Sequence, residues 1–306
     1  MNAIEAAVSR AHRSEKAART FITVCGIGMA LVPFLIGAFL FIKGTDTFFL
    51  FGHGVGEFLF SGEWNPSDTA EGGGQVGAAK FLAGSLVTCL LALIITLPLS
   101  ISSAIFMTEI ASPRTRRLIQ PAIELFTGIP SVVYGFVGMT VLIPFLRSIF
   151  PMPFGFSVLA AGIVLAIMIF PTITTMAADA MAAVPKSWRE ASYGLGATRW
   201  ETIAHVVLPA AKGGIFTGII LGLARALGEA LAVAMVIGQM KVFPTSLFLP
   251  ASTLTTAISA DMGGAMEGGE YSAALWTMAL ILFLLSFLFI FLIHQLNAAS
   301  SLKGGK

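Results

Sequence analysis

Two side chains of opposite charge, Arg225 and Glu229, stand four positions apart inside a long apolar stretch of the chain. Charges within a membrane-spanning segment are costly, and such residues usually pair with one another or line a solute path. On a helix, this spacing brings both side chains to one face. The sequence therefore predicts two compatible roles. The residues form an intrahelical ion pair, or Arg225 attracts an anion along a pathway while Glu229 neutralises it between transport events.

A second polar stretch surrounds Gly128 and Pro130 in another apolar segment. Glycine and proline this close together interrupt helical hydrogen bonding, which frees backbone groups. Together with the hydroxyls of Thr127 and Ser131, the freed groups predict a polar lining for the same pathway. The alternative is a kink in which small residues allow close helix packing.

Covalent chemistry is not indicated by the remaining residue types. The four histidines stand far apart in the sequence, and neither Cys25 nor Cys89 has a partner at metal-ligand spacing. We therefore predict no catalytic residue, no metal site and no cofactor-binding site in this chain.

The elements that must position these residues are apolar helices. Hydrophobic residues make up 56% of the 306 residues and charged residues only 11%, whereas soluble domains average about 25% charged residues. A helix of about 20 apolar residues crosses a bilayer. Six stretches meet this length: Phe21–Ile42, Phe81–Met107, Ala122–Leu146, Ser157–Ala178, Gly214–Gly238 and Ala273–Leu296. The chain is predicted to be an all-α membrane protein with six transmembrane helices, surrounded by lipid.

The basic residues predict the orientation in the membrane. Of 18 Lys and Arg residues, 13 lie before the first stretch, in the second-to-third and fourth-to-fifth connections, or after the sixth. Lys and Arg are retained on the cytoplasmic side during insertion. We expect a cytoplasmic N-terminal helix or tail (1–20), a first transmembrane helix (21–42), a periplasmic loop (43–80), a permease core (81–297) and a cytoplasmic tail (298–306).

The connection between the fourth and fifth stretches, residues 185–209, is predicted to form a cytoplasmic helical hairpin. Pro185 and Ser187 indicate a helix start, and Glu190 three residues after Ser187 completes the pattern of a capping box. Gly196 permits a sharp turn after this helix. A second short helix is expected next, over residues 198–206, before the fifth span. The residues alone leave open whether the hairpin binds a partner or only joins two spans.

These residues carry a resemblance to a known motif. Glu190-Ala191-Ser192, then Gly196, then Val206-x-Leu208-Pro209 resembles the EAA loop of ABC-importer permeases, with Ser192 and Val206 as conservative departures. The resemblance implies the type I ABC-importer permease fold and a hairpin that docks on an ATPase subunit. The residues implied in this coupling are Arg189, Glu190, Ala191, Ser192, Gly196, Ala197, Leu208 and Pro209.

The same resemblance assigns ATP hydrolysis to a partner subunit. The chain contains no G-x-x-x-x-G-K-[ST] sequence, the glycine loop that binds nucleotide phosphates. We therefore expect a non-catalytic subunit, with ATP and Mg²⁺ bound by the partner ATPase and no nucleic-acid partner.

Three segments are similar to phosphate-importer permeases in particular: 128–135, 224–230 and Trp64-x-Pro66. The ending Gly228-Glu229-Ala230-x-Ala232-Val233 resembles the PstC-type subunit more than its PstA-type partner. The resemblance implies a bacterial inner-membrane complex with a PstA-like permease, two PstB-like ATPases and a periplasmic phosphate-binding protein. Alternatives at this point are a PstA-type subunit and a permease for sulfate, tungstate or molybdate. A secondary transporter with inverted repeats and a non-transporting scaffold also stay open.

Overall fold

The computed structural model describes the backbone of residues 2–303 and the side chains of residues 15–16, 18–291 and 295. The last helix of the chain extends to Lys303 and so includes the first part of the predicted tail, residues 298–306. The rest of that tail lies outside the described residues. The helices of the described chain are α1 (Asn2–Gly44), α2 (Asp46–Phe49), α3 (Val55–Phe60), α4 (Ala79–Ile105), α5 (Pro113–Gly128), α6 (Ser131–Val137), α7 (Ile143–Ile149), α8 (Val158–Ala182), α9 (Lys186–Gly194), α10 (Arg199–Thr202), α11 (Leu208–Gly228), α12 (Leu231–Ile237), α13 (Leu254–Asp261) and α14 (Glu270–Lys303).

Six helical segments of the described chain are long and apolar enough to cross a membrane: Ala18–Phe49, Ala79–Ile110, Ser131–Ile149, Val158–Ala182, Arg199–Gly228 and Glu270–Phe291. The prediction of six transmembrane helices is confirmed. The first segment packs along α14, but none of the residues in its apolar window is fully buried. Its large side chains, such as Phe21, are therefore available to lipid or to another membrane helix.

The centre of the bundle is α8, which packs against α4 on one side and α11 on the other. Gly214, Gly218 and Gly222 recur every four residues on α11 and allow it to approach α8 closely. A methyl group at Gly218 would stand 2.8 Å from the Cβ of Met176 on α8. The close fit makes α8 and α11 one packed unit.

Hydroxyl groups of α4 join it to α8 on the other side. Thr96 donates a hydrogen bond of 2.9 Å to the carbonyl of Ala166, and Ser100 donates one of 3.2 Å to the carbonyl of Phe170. These bonds satisfy hydroxyls that would be costly to leave unpaired in an apolar interior. They fix the axial position of α4 against α8.

The third and fifth predicted stretches, Ala122–Leu146 and Gly214–Gly238, each contain a helix break, which corrects their bounds: the third span begins at Ser131, after its break, and the fifth ends at Gly228, before its break. At the third-span break, α5 ends at Gly128, Ile129 is extended and α6 begins at Ser131. Pro130 explains this break, because proline lacks an N–H group and disfavours helical backbone at the residue before it. In the fifth span, α11 ends at Gly228 and α12 begins at Leu231.

The fifth span also begins earlier than predicted. Its helix runs without interruption from Arg199 to Gly228, passing through a π-helical turn at Ile203–Val207. Pro209, directly after this turn, cannot donate to the carbonyl four residues earlier, and a wider turn relieves the clash with its ring. The expected second helix of the hairpin is therefore present, as α10 and the π-helical turn, but it continues into the fifth span without a break.

A folded cap lies at the end of the bundle opposite α9. It comprises α2, α3 and a two-stranded antiparallel sheet, β1 (Trp64–Asn65) with β2 (Gln75–Val76). The carboxylate of Glu270, fully buried at the start of α14, accepts hydrogen bonds from the backbone N–H groups of Ser67, Gly73 and Gly74 and lies 2.7 Å from His53 Nε2. This one side chain fastens the cap to the last span.

Candidate translocation site and coupling hairpin

The hairpin, residues 185–209, turns at Gly196. Its φ of +83° is in the left-handed region, where glycine has no steric penalty. The N–H of Gly196 donates to the carbonyl of Tyr193 at 2.9 Å, and that of Ala197 donates to Ser192 at 3.2 Å. The predicted sharp turn at the end of α9 is therefore present.

The capping box lies at the second arm of the hairpin rather than the first. Thr198 Oγ1 accepts a hydrogen bond from the N–H of Glu201, and the Glu201 carboxylate accepts one from the N–H of Thr198 at 2.7 Å. The predicted box at Ser187 and Glu190 is wrong, because α9 begins directly after Pro185. Ser187 consequently lies inside the first turn, where its hydroxyl cannot cap the helix.

Arg189 fastens α9 to the ends of two spans. Its guanidinium forms a two-pronged ion pair with Glu109, at 2.7 and 3.3 Å, at the end of the second span. It also donates to the carbonyls of Val184 (2.6 Å) and Met181 (2.8 Å), where α8 ends. The sequence predicted Arg189 in contact with an ATPase; within this chain its guanidinium binds Glu109 and these two carbonyls. Glu109 was missed, since its only sequence signal is an acidic residue at the end of an apolar stretch.

Large apolar side chains on the rest of the hairpin are exposed. Trp188, Trp200 and Tyr193 are exposed, and Leu195 keeps 91% of its surface accessible. Of the other residues predicted to couple, Glu190, Ala191, Gly196 and Pro209 are exposed, and Ser192, Ala197 and Leu208 are half-buried. The Ser192 hydroxyl lies 2.9 Å from that of Thr202, which joins the two arms.

The two interrupted spans meet at their breaks. Helices α6 and α12, which follow the breaks, pack against each other. Gly135 makes this contact possible, because a Cβ there would stand 2.9 Å from the Cα of Ala232. The structure thus brings the predicted polar stretch of the third span together with the charged stretch of the fifth.

The predicted lining residues Thr127 and Ser131 flank the third-span break. Thr127 is exposed, and its hydroxyl donates to the carbonyl of Glu124 in its own helix at 2.6 Å. Ser131, half-buried, begins α6. Arg225 lies in the last turn of α11, one turn before the fifth-span break.

Arg225 and Glu229 do not form the predicted intrahelical ion pair. Among the described residues, no carboxylate lies within 4.0 Å of the Arg225 guanidinium. Glu229 follows the last residue of α11, and its carboxylate instead accepts a hydrogen bond from the N–H of Ala232 at 3.1 Å. Its carbonyl accepts a bond of 2.9 Å from the hydroxyl of Thr255.

Because the two residues are not paired, each charge lies at the end of a different helix. Arg225 is half-buried in the last turn of α11, where the helix dipole favours a cation. Glu229 is at the start of α12, where the dipole favours an anion. Among the described side chains, Arg225 therefore has no carboxylate within ion-pair distance.

The comparisons with known proteins define the class of protein. The family model described as "Binding-protein-dependent transport system inner membrane component" matches residues 97–300. The fold agrees with it. The chain is similar to a permease of the MetNI methionine ABC transporter (TM-score 0.56, 22% identity, 72% of this chain and 93% of that chain) and to a chain of a bacterial alginate ABC transporter (TM-score 0.62, 16% identity, 92% and 96%).

The chain belongs to this family of inner-membrane transport components, and its fold is that of the type I ABC-importer permeases. Its curated relatives narrow the class further. It is 48% identical to the "Probable ABC transporter permease protein YqgH" of Bacillus subtilis, over 92% of this chain and 90% of that protein. It is 40% identical to the "Phosphate transport system permease protein PstC" of Pasteurella multocida, over 79% and 78%. The resemblance to phosphate-importer permeases is confirmed.

Proposed function

We propose that this chain is a permease subunit of an ATP-driven phosphate importer, forming half of the translocation pathway and coupling to a separate ATPase. The hairpin carries the proposal. It presents exposed Trp188 and Leu195 outside the apolar spans and exposed Trp200 at the start of the fifth span, while Arg189 holds α9 against the bundle. Exposed aromatic and aliphatic side chains on a short helix are typical of helix-in-groove recognition.

The complex contains a second, PstA-like permease, two PstB-like ATPases and a periplasmic phosphate-binding protein. ATP and Mg²⁺ are bound by the ATPases, and this chain holds no cofactor. Two apolar grooves support the proposal of a second permease. They have volumes of about 270 and 240 Å³, and Phe126, next to the third-span break, lines both. An open apolar surface of this kind fits another membrane helix.

Arg225 is the anion-attracting group of the pathway. Its support is the half-buried guanidinium, with no described carboxylate within ion-pair distance, one turn before the break that follows α11. Thr127 and Ser131 line the same path. Interrupted helices with substrate sites at their breaks are known from other membrane transporters.

The protein is placed by this proposal in the bacterial inner membrane with both termini and the hairpin in the cytoplasm. The cap that Glu270 fastens is then periplasmic. The support is the distribution of Lys and Arg along the chain.

Purification in mild detergent tests the coupling. The wild-type chain is expected to carry the ATPase with it, and Trp188→Ser combined with Leu195→Ser is expected to lose the ATPase. Phe60→Ser, which removes an equally exposed apolar side chain from the cap, is the matched control and is expected to retain it. Equal amounts of ATPase on all three chains contradict the proposal.

Uptake into proteoliposomes tests the substrate. Labelled phosphate uptake is expected to be inhibited by unlabelled phosphate and not by sulfate, tungstate or molybdate. Uptake driven by one of those anions instead would assign the pathway to a different oxyanion.

A further inference from the structure

Arg189 joins three elements that are far apart in the sequence. It belongs to α9, and its guanidinium reaches Glu109 in the π-helical turn Phe106–Ile110 that ends the second span. The same group donates to the carbonyls of Met181 and Val184 where α8 ends. A single planar group thus connects the hairpin to the second and fourth spans.

The pair is strong because both partners are largely buried. The side chain of Glu109 is 7% exposed and that of Arg189 is 16% exposed. A bidentate arginine–carboxylate contact is fixed in orientation as well as in distance, and removing one partner leaves an uncompensated charge away from water. The connection is therefore stiff, unlike an ion pair between two exposed side chains.

The other described contacts of α9 are directed elsewhere. It packs on α10 and on the π-helical turn at Ile203–Val207, both in the fifth-span helix. Its contact with the second span is made through Glu109. The pair therefore gives the hairpin a direct connection to the second span, beside the indirect one through α8, which packs on α4.

We propose that the Arg189–Glu109 pair is the linkage that transmits movement of the hairpin to the second span. Arg189 is then a positioning residue that acts through Glu109 and through the end of α8, instead of an ATPase contact. The inference rests on the proposed coupling to an ATPase. It assigns a role to Glu109 and gives the second span a defined part in the response to ATP.

The test compares Glu109→Gln, Arg189→Gln and the double variant in complexes assembled with the ATPase and reconstituted with phosphate-loaded binding protein. Phosphate uptake and ATP hydrolysis are measured on the same vesicles. Each single variant is expected to keep hydrolysing ATP while phosphate transported per ATP falls roughly tenfold, within the usual range of coupling between sites. The double variant is expected to lose no more than either single one, because the two residues act as one unit.

Arg114→Gln is the matched control, since it removes an exposed arginine at the start of α5, at the hairpin end of the bundle. It is expected to leave the transport ratio unchanged. An unchanged ratio for Glu109→Gln, or losses that multiply in the double variant, overturns the linkage. A merely structural pair would lower yield or melting temperature without changing the ratio.

A second measurement applies even where the variants fail to assemble. Spin labels at Ile110→Cys and Ser187→Cys, in a chain whose own Cys25 and Cys89 are replaced by alanine, report the distance between the second-span end and α9. The distance is expected to stay constant when ATP is added, and a change overturns the linkage. A wild-type chain that purifies without any ATPase contradicts the proposed function itself, which separates the two failures.

Discussion

The hydroxyl of Tyr134 donates a hydrogen bond of 2.6 Å to the carbonyl of Phe126, across the break in the third span. In an uninterrupted helix that carbonyl would accept from the N–H of residue 130, but residue 130 is a proline and has none. The tyrosine replaces the missing donor and ties α5 to α6.

Tyr134→Phe is expected to leave this carbonyl unpaired and to lower the free energy of unfolding by about 1–3 kcal/mol. Thermal unfolding in detergent measures the effect. Tyr193→Phe, at an exposed ring on the hairpin, is the control and should leave the melting temperature unchanged. Equal melting of the Tyr134→Phe variant and the wild type would show that water or another group satisfies the carbonyl.

Arg225→Gln is expected to abolish phosphate uptake while assembly survives. The attraction of the guanidinium for an anion is lost, and a loss of about 1.4 kcal/mol already lowers binding tenfold. Glu229→Gln is the control for removing a charge at this site. Its glutamine oxygen can still accept the hydrogen bond from the N–H of Ala232, so α12 keeps its cap. Normal uptake by the Arg225→Gln complex would refute the pathway role.

Gly196→Val is expected to uncouple ATP hydrolysis from uptake. The φ of +83° at this position is unfavourable for a β-branched residue, so the turn between α9 and the second arm must change. The ratio of phosphate transported to ATP hydrolysed is the readout. Gly194→Val serves as control, since Gly194 is helical and has open space around it. Similar ratios for both variants would contradict the geometry of the turn.

Gly218→Ala is expected to destabilise the chain by about 1–3 kcal/mol through overpacking, because its methyl group would meet Met176 at 2.8 Å. Gly213→Ala lies on the same helix with nothing within 4 Å. It should be neutral or slightly stabilising, since alanine favours helix over glycine. Melting temperatures of the two variants in the same detergent decide the matter, and equal values would exclude close α8–α11 packing.

Glu270→Gln is expected to loosen the cap by about 3 kcal/mol, because a buried charged acceptor is removed from its donors. Limited proteolysis of residues 45–78 measures the loosening. Glu267→Gln, an exposed neighbour, is the control. Unchanged resistance of the Glu270→Gln cap would mean that its other contacts suffice to hold it.

The six spans and the turn at Gly196 could be predicted because each depends on residues close together in sequence. The break at Glu229 could not, since it depends in part on Thr255, which is 26 positions away. The partner of Arg189 is 80 positions away, so no local pattern identifies it. The capping box was misplaced for a local reason, since Pro185 determines where α9 begins and leaves Ser187 too late to cap it.

The glycine row on α11 has a mechanical consequence. Because α11 contacts α8 through glycines at three successive turns, the two helices cannot slide along each other without clashes between backbone and side chains. The fourth span (α8) and the α11 part of the fifth span must consequently move as one rigid unit. The helix breaks after Gly128 and Gly228 lie outside this packed contact.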